Sequence, residues 1–309
     1  MLSSLFFLLI GSVGLYFGSE WLINGAKDLA KALKVSDLVI GLTIVSIGTS
    51  FPELVVGLIS AFQGYTDFVI GNVLGSNIAN IGLAIGLPAL IFKINFEFKN
   101  ITAPVVYNLI ACIMLYFILT DNEISILEAQ ALLMVFFIYI IASFMRPNIT
   151  SCDGELENTI ISPLYISVLK IITGSVILYS GSELFVSNGA VPLVENFGFN
   201  EKSIGMTVVA IGTSLPELFV TIMALSKKEV GISLGNIIGS NIFNILFVLS
   251  TIALVSPIST TNVTFELSLG VVFLISLMIF IYFQKGINRV SASLLLVAYI
   301  IFIYIQFYG

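Results

Sequence analysis

Histidine is absent from all 309 residues, so any proton relay working near neutral pH would have to do without the side chain best suited to it. Two cysteines, Cys112 and Cys152, are too few for a disulfide framework or a cysteine-held metal cluster. Charge is scarce as well, with 12 basic and 18 acidic residues and a net charge of −6. That balance, with no basic tail or arginine stripe, argues against nucleic acid as a partner. No nucleophile with an adjacent base and no pair of catalytic aspartates stands out among the apolar segments, which excludes an intramembrane hydrolase and points away from an enzyme of any kind.

What fills the chain instead is apolar: 58% hydrophobic residues and a mean hydropathy of +1.10. A chain of this size and composition has lipid as its solvent. Ten apolar segments can be read, near 2–32, 36–62, 68–92, 99–120, 123–145, 161–191, 202–226, 230–254, 263–284 and 287–307. Each has the roughly 20 residues or more that a helix needs to cross a hydrocarbon core of about 30 Å. The runs are continuously apolar and do not alternate, so a membrane β-barrel is excluded. The first run lacks a basic leader and its GSE ending recurs at Gly181, which makes it a structural helix and not a signal peptide.

Two stretches are written twice, 164 residues apart: Ile40 to Val56 (IGLTIVSIGTSFPELVV) matches Ile204 to Val220 (IGMTVVAIGTSLPELFV) at 12 of 17 positions. Gly71 to Ile81 (GNVLGSNIANI) matches Gly235 to Ile245 (GNIIGSNIFNI) at the same offset. A weaker pair, GSEWLINGA from Gly18 and GSELFVSNGA from Gly181, carries Glu20 and Glu183 and needs a one-residue gap. The chain is therefore expected to be a tandem duplication: residues 1–145 as a first five-helix repeat, 146–160 as a cytoplasmic linker and 161–309 as a second five-helix repeat. Five is odd, so the second copy runs through the membrane upside down. Lys27, Lys31, Lys34, Lys93, Lys99, Arg146, Lys227, Lys228, Lys285 and Arg289 fall on one side, Lys202 on the other, and Lys170 inside the sixth helix. By the positive-inside rule both termini are extracellular. The acidic linker (Asp153, Glu155, Glu157) and the outward acids Asp67, Asp121, Glu123, Glu195 and Glu201 read as solvated surface.

The duplicated motifs carry the chemistry. Pro52 has no N–H, so the carbonyl of Gly48 loses its helical partner and must find another ligand in lipid. Thr49, Ser50 and Glu53 fall on one face beside that break, and Ser76 and Asn80, four apart, offer a hydroxyl and an amide oxygen from the next helix. Thr213, Ser214, Pro216, Glu217, Ser240 and Asn244 repeat the pattern. Facing each other, the copies would enclose a cage of hard oxygen donors, the set that Ca²⁺ prefers and Na⁺ accepts. No basic residue is expected at membrane depth beside Glu53 or Glu217, so a mobile cation or a proton must neutralise them. A structural hydrogen bond or ion pair is the plainer reading for Glu20 and Glu183. Gly71, Gly75, Gly235 and Gly239 read as sites of close helix packing.

GTS[FL]PE followed by GNxxGSNxxN, each present twice, resembles the cation/Ca²⁺ exchanger superfamily and its microbial sodium/calcium exchangers. The resemblance implies an all-α integral membrane fold of ten transmembrane helices in two inverted five-helix repeats, with cation sites at mid-membrane. It implies ligation by Thr49, Ser50, Glu53, Ser76, Asn80, Thr213, Ser214, Glu217 and Ser240, with Asn244 completing the symmetric pair and backbone carbonyls contributing at Ser46 and Ala210. Some relatives, including potassium-dependent ones, carry aspartate where this chain has Asn244. The function implied is antiport of Na⁺ against Ca²⁺ in the cell membrane, with the ions as substrates, no cofactor and no obligatory protein partner. A Ca²⁺/H⁺ antiporter is the alternative. A passive channel would be built as an open ring from several subunits, unlike this paired half-site in one chain.

Overall fold

Helices account for nearly all of the computed structural model, which describes residues 2–145, 163–190, 192, 210–259 and 264–308. The expected linker and the segment bearing Glu195, Glu201 and Lys202 lie outside them. In chain order the helices are α1 (Leu2–Leu33), α2 (Asp37–Thr49), α3 (Phe51–Phe62), α4 (Thr66–Gly82), α5 (Gly86–Ile91), α6 (Phe98–Ile118), α7 (Ile126–Phe144), α8 (Leu164–Glu183), α9 (Ala210–Thr213), α10 (Leu215–Ser226), α11 (Val230–Phe243), α12 (Ser250–Val255), α13 (Thr264–Gln284) and α14 (Arg289–Tyr308). Local signals set several of the ends. Ser125 and Glu128 form a reciprocal capping box at the start of α7. That helix begins at Ile126, three residues later than the hydropathy suggests, because Glu123–Ile124 is taken up in a strand.

Eight of the described helical segments are long and apolar enough to cross a membrane, or nine with the bent pair Asp37–Thr49 and Phe51–Phe62 counted as one span. A shorter apolar helix covers Ile211–Ser226. Burial runs opposite to that of a soluble protein. Large apolar side chains such as Leu9, Phe62, Phe117, Ile141 and Ile300 are exposed, as lipid requires, whereas Ser, Thr, Asn and two Glu side chains fill the middle. The spans Thr66–Ile91 and Val230–Val255 are 72% and 83% buried, against 44% or less for the other single spans. They form the centre of the described helices.

Two short antiparallel ladders clamp the ends. β1 (Ile94–Asn95) pairs with β4 (Gly286–Ile287), and β2 (Glu123–Ile124) pairs with β3 (Ile258–Ser259). Helix α6 links β1 to β2 and α13 links β3 to β4, so the two ladders hold α6 and α13 antiparallel at opposite ends. Gly286 sits against the Ile94 carbonyl with no room for a Cβ, so only glycine closes that ladder.

Close backbone approach brings the central helices together. A Cβ on Gly235 would lie 2.7 Å from the Leu38 carbonyl oxygen, and one on Gly239 would lie 2.5 Å from that of Leu42, so α11 rides directly on α2. These two glycines pack as expected. Around Gly71 and Gly75 nothing lies within 4 Å among the described residues, and the expected close packing is not seen there. Residues 202–209, which correspond to 38–45 at the 164-residue offset, are outside the described residues. Helix α2 widens into a π-turn at Gly41–Val45, and the buried Tyr139 hydroxyl donates to the Leu42 carbonyl there at 3.0 Å.

Candidate cation site

The two duplicated motifs break their helices identically. α2 ends at Thr49, Ser50 adopts φ −87°, ψ 9°, and α3 starts with Pro52 in its first turn at a 41° bend. α9 ends at Thr213, Ser214 adopts φ −86°, ψ 0°, and α10 starts with Pro216. Proline is at home there because first-turn N–H groups have no helical acceptor. Glu53 and Glu217 stand in the first turns of α3 and α10, where the positive end of the helix dipole favours a carboxylate. The carbonyl freed by Pro216 belongs to Gly212, and it accepts from the Ser182 hydroxyl at 2.8 Å. The freed Gly212 oxygen thus finds its partner on a neighbouring helix.

The side chains meet across the two motifs. Thr49 Oγ1 donates to Asn236 Oδ1 at 2.9 Å and lies 3.2 Å from Ser240 Oγ. The counterpart Thr213 Oγ1 donates to Asn72 Oδ1 at 3.4 Å and lies 3.3 Å from Ser76 Oγ. Ser50 Oγ and Ser240 Oγ donate to Glu217 Oε1 at 3.0 and 3.3 Å. Asn80 Nδ2 donates to Asn241 Oδ1 at 2.9 Å, and Asn244 Nδ2 to Asn77 Oδ1 at 3.1 Å. Ser46 is buried with its hydroxyl turned back onto Leu42 and Thr43, and its carbonyl accepts from Ser50 N and Thr49 Oγ1 at 3.0 and 3.3 Å. Ala210 opens α9 one turn before Thr213, in the position that Ser46 holds before Thr49.

Thr49, Ser50, Glu53, Ser76, Asn80, Ser214, Glu217, Ser240 and Asn244 are all fully buried, and Thr213 is 6% exposed. Several of their oxygens have no hydrogen-bond partner within 3.5 Å among the described residues: both of Glu53, Oε2 of Glu217, Oδ1 of Asn80 and Asn244, and Oγ of Ser214. A set of buried unpaired acceptors, two of them carboxylates close enough to repel each other, is expensive to leave without a positive partner. Neither glutamate takes part in an ion pair among the described residues. Their oxygens are therefore available to a cation. No group of three or more His, Cys, Asp or Glu able to hold a metal occurs among the described residues. The donors are two carboxylates and neutral oxygens, a set suited to an ion that must also leave.

Four members of this network escape a reading confined to ligand spacing: Asn72, Asn77, Asn236 and Asn241. Their signal was present, because all four lie inside the duplicated GNxxGSN string. Glu20, for which an ion pair is the plainer reading, has its carboxylate 3.5 Å from Lys227 Nζ. Glu183 is exposed at the end of α8. Lys170, the cation expected inside a helix, pairs with Asp28 at 2.8 Å.

A family model described as "Sodium/calcium exchanger protein" matches the chain twice, over residues 3–145 and 166–308. The chain belongs to the sodium/calcium exchanger protein family. It is thus a multi-pass membrane protein of a family of cation exchangers, not of enzymes. Among curated relatives, sodium/calcium exchanger MaX1 of Methanosarcina acetivorans is 30% identical, covering 97% of both chains. The membrane protein MJ0091 of Methanocaldococcus jannaschii is 34% identical, covering 96% of this chain and 95% of its own. Among solved structures, the sodium-calcium exchanger NCX_Mj soaked without Na⁺ and Ca²⁺ superposes with a TM-score of 0.83 at 31% identity, covering 99% of both chains. The same protein soaked with 2.5 mM Na⁺ and 0.1 mM Ca²⁺ gives 0.80 at 32% identity, covering 97% of each. This exchanger therefore shares its architecture with NCX_Mj along its whole length.

Proposed function

We propose that this exchanger moves Ca²⁺ across the cell membrane against Na⁺, exposing one mid-membrane oxygen cage alternately to the two sides. The observation that carries the reading is the set of fully buried oxygens on Glu53, Glu217, Asn80, Asn244 and Ser214 that have no hydrogen-bond partner among the described residues, with no basic side chain among those residues paired to the carboxylates. Ligation is assigned to Thr49, Ser50, Glu53, Ser76, Asn80, Thr213, Ser214, Glu217, Ser240 and Asn244, with the carbonyls of Ser46 and Ala210. One Ca²⁺ or two Na⁺ would balance the two carboxylates, and oxygen donors at this density suit both ions. The names of MaX1 and NCX_Mj, each called a sodium/calcium exchanger, support the ion pair.

In this reading ten helices form two inverted repeats, 1–145 and 161–309, joined by a cytoplasmic linker at 146–160, with both termini extracellular. Supporting it, the family model matches twice, and β1 and β3, which occupy equivalent places 164 residues apart, pair at opposite ends of the molecule. Ca²⁺/H⁺ exchange is the second reading, since the same carboxylates could release protons as Ca²⁺ arrives. The absence of histidine weighs against it. Purified protein in vesicles, with Ca²⁺ uptake compared under an imposed Na⁺ gradient and an imposed pH gradient, separates the two. Uptake driven by Na⁺ alone is expected, and uptake driven only by the pH gradient would transfer the assignment to the proton.

A further inference from the structure

We infer that Asn77 and Asn241, which lie outside the ligand set, are positioning residues that fix which way the amides of Asn80 and Asn244 face and so aim two ligand oxygens at the ion. The inference rests on the exchanger reading above and adds to it a cause for the cage's geometry. The two asparagines are neighbours across the centre of the molecule: Asn77 Nδ2 donates to the Asn241 carbonyl and Asn241 Nδ2 to the Asn77 carbonyl, both at 3.1 Å. A main-chain carbonyl can only accept, so each amide must turn its nitrogen toward the other helix. That choice leaves Asn77 Oδ1 and Asn241 Oδ1 pointing away, and an amide oxygen can also only accept.

The next group in each direction must therefore present a donor. Asn244 meets Asn77 Oδ1 with its Nδ2 at 3.1 Å, and Asn80 meets Asn241 Oδ1 with its Nδ2 at 2.9 Å. With both nitrogens committed, Asn80 Oδ1 and Asn244 Oδ1 are turned the other way, and these are the two amide oxygens of the cage that have no hydrogen-bond partner among the described residues. Two backbone carbonyls thus determine, through one intermediate amide each, where two ligand oxygens point. All four side chains are at most 6% exposed, so water does not compete for the choice. The same chain of donors and acceptors makes position 244 selective: a carboxylate there would set an acceptor against Asn77 Oδ1, and turning the Asn77 amide to relieve it would set an acceptor against the Asn241 carbonyl.

The test is a double-mutant cycle read as the Ca²⁺ concentration that half-saturates uptake into proteoliposomes, using whichever gradient drives the wild type. Asn77→Ala should raise that concentration about tenfold, equivalent to about 1.4 kcal/mol, with the maximal rate per folded protein little changed. In an Asn244→Ala background the same substitution should shift it less than about twofold, because the amide it orients is gone. The mirror cycle of Asn241→Ala with Asn80→Ala should behave alike, and Asn77→Ser or Asn241→Ser serve if an alanine variant aggregates. An equal shift in both backgrounds, or a lower maximal rate with half-saturation unmoved, would mean the pair only holds helices together. With the wild type active, that result overturns this inference alone. Wild-type vesicles that move no Ca²⁺ would overturn the exchanger reading and this inference with it.

Discussion

The two halves of the cage come from nearly the same sequence, yet they agree only in their neutral parts. Thr49 with Asn236 and Thr213 with Asn72, Ser240 with Thr49 and Ser76 with Thr213, Asn80 with Asn241 and Asn244 with Asn77 all repeat across the approximate two-fold axis. The carboxylates do not. Glu217 Oε1 accepts from Ser50 at 3.0 Å and from Ser240 at 3.3 Å, whereas among the described residues Glu53 has Ser76 beside it but no hydrogen bond as short, and Ser214, the counterpart of Ser50, has no hydrogen-bond partner. Hydrogen bonds between uncharged groups are satisfied locally and can hold a symmetric frame without an ion. The carboxylates cannot, so Glu217 is held by two hydroxyls of the frame while Glu53 is held less closely.

The sharpest break in that comparison is to remove each charge in turn. Glu53→Gln and Glu217→Gln should each lower Ca²⁺ transport more than about 100-fold, since each removes half of the charge a divalent ion needs, and breaking a buried charge pairing costs about 3–5 kcal/mol. Their effects on the ion-free protein should differ. Glu53→Gln removes a buried, unpaired carboxylate and should raise the unfolding temperature by a few degrees. Glu217→Gln keeps an oxygen for Ser50 and Ser240 and should change it less. Normal Ca²⁺ exchange by Glu53→Gln would falsify the site, and equal thermal shifts would erase the proposed difference between the halves.

Protons test the carboxylates together. A proton and Ca²⁺ compete for the same oxygens, so the wild-type rate should fall as pH falls, and raising Ca²⁺ should restore it. Inhibition that saturating Ca²⁺ leaves untouched would place the titrating group elsewhere. Asn244→Asp adds a third carboxylate, which must be met by a proton or another cation in a site of low dielectric constant. Its rate should depend more steeply on pH or on a monovalent ion than the wild type's. Identical profiles for the two proteins would mean that residue 244 does not face the ion.

Much of this was legible before any coordinate. The length of the apolar runs gave most of the described helices, because crossing lipid leaves the backbone little choice, and the duplicated motifs gave the ten side chains proposed as ligands. Three things were not legible, each for a physical reason. The orienting role of Asn77 and Asn241 depends on which main-chain carbonyl faces them across the molecule, which spacing along one helix does not reveal. The Gly212 carbonyl, freed by Pro216, is claimed by Ser182 from a segment 30 residues away in sequence. The unequal anchoring of the glutamates is invisible because both copies read TS, one residue, PE. Identical strings cannot announce different neighbours.

A smaller effect separates the two serines beside the carboxylates. Ser50→Ala deletes a 3.0 Å hydrogen bond to Glu217, and bonds to charged groups contribute about 1.5–3 kcal/mol. It should raise half-saturating Ca²⁺ about tenfold. Ser214→Ala deletes a hydroxyl that has no hydrogen-bond partner among the described residues and would lose only the proposed ion contact, so its shift should stay near twofold. Reversal of that order would mean that the carboxylate anchored in the ion-free frame is not the one anchored during binding.

The least effect belongs to the glutamate outside the cage. Glu20 and Glu53 are both acidic residues in apolar helices, but Glu20 is 33% exposed and 3.5 Å from Lys227, whose ammonium also donates to Asn24 at 2.8 Å. A long, partly solvated ion pair of this kind contributes about 0–1 kcal/mol. Removing it leaves Lys227 with its Asn24 bond and no buried charge unpaired. Glu20→Gln should therefore change half-saturating Ca²⁺ by less than about twofold and leave the pH profile of uptake where it was. The measurement is the same vesicle assay applied to Glu53→Gln, run side by side. A loss of transport in Glu20→Gln as deep as that in Glu53→Gln would place a working carboxylate on α1, and the distinction drawn here between a structural and an ion-binding glutamate would not survive it.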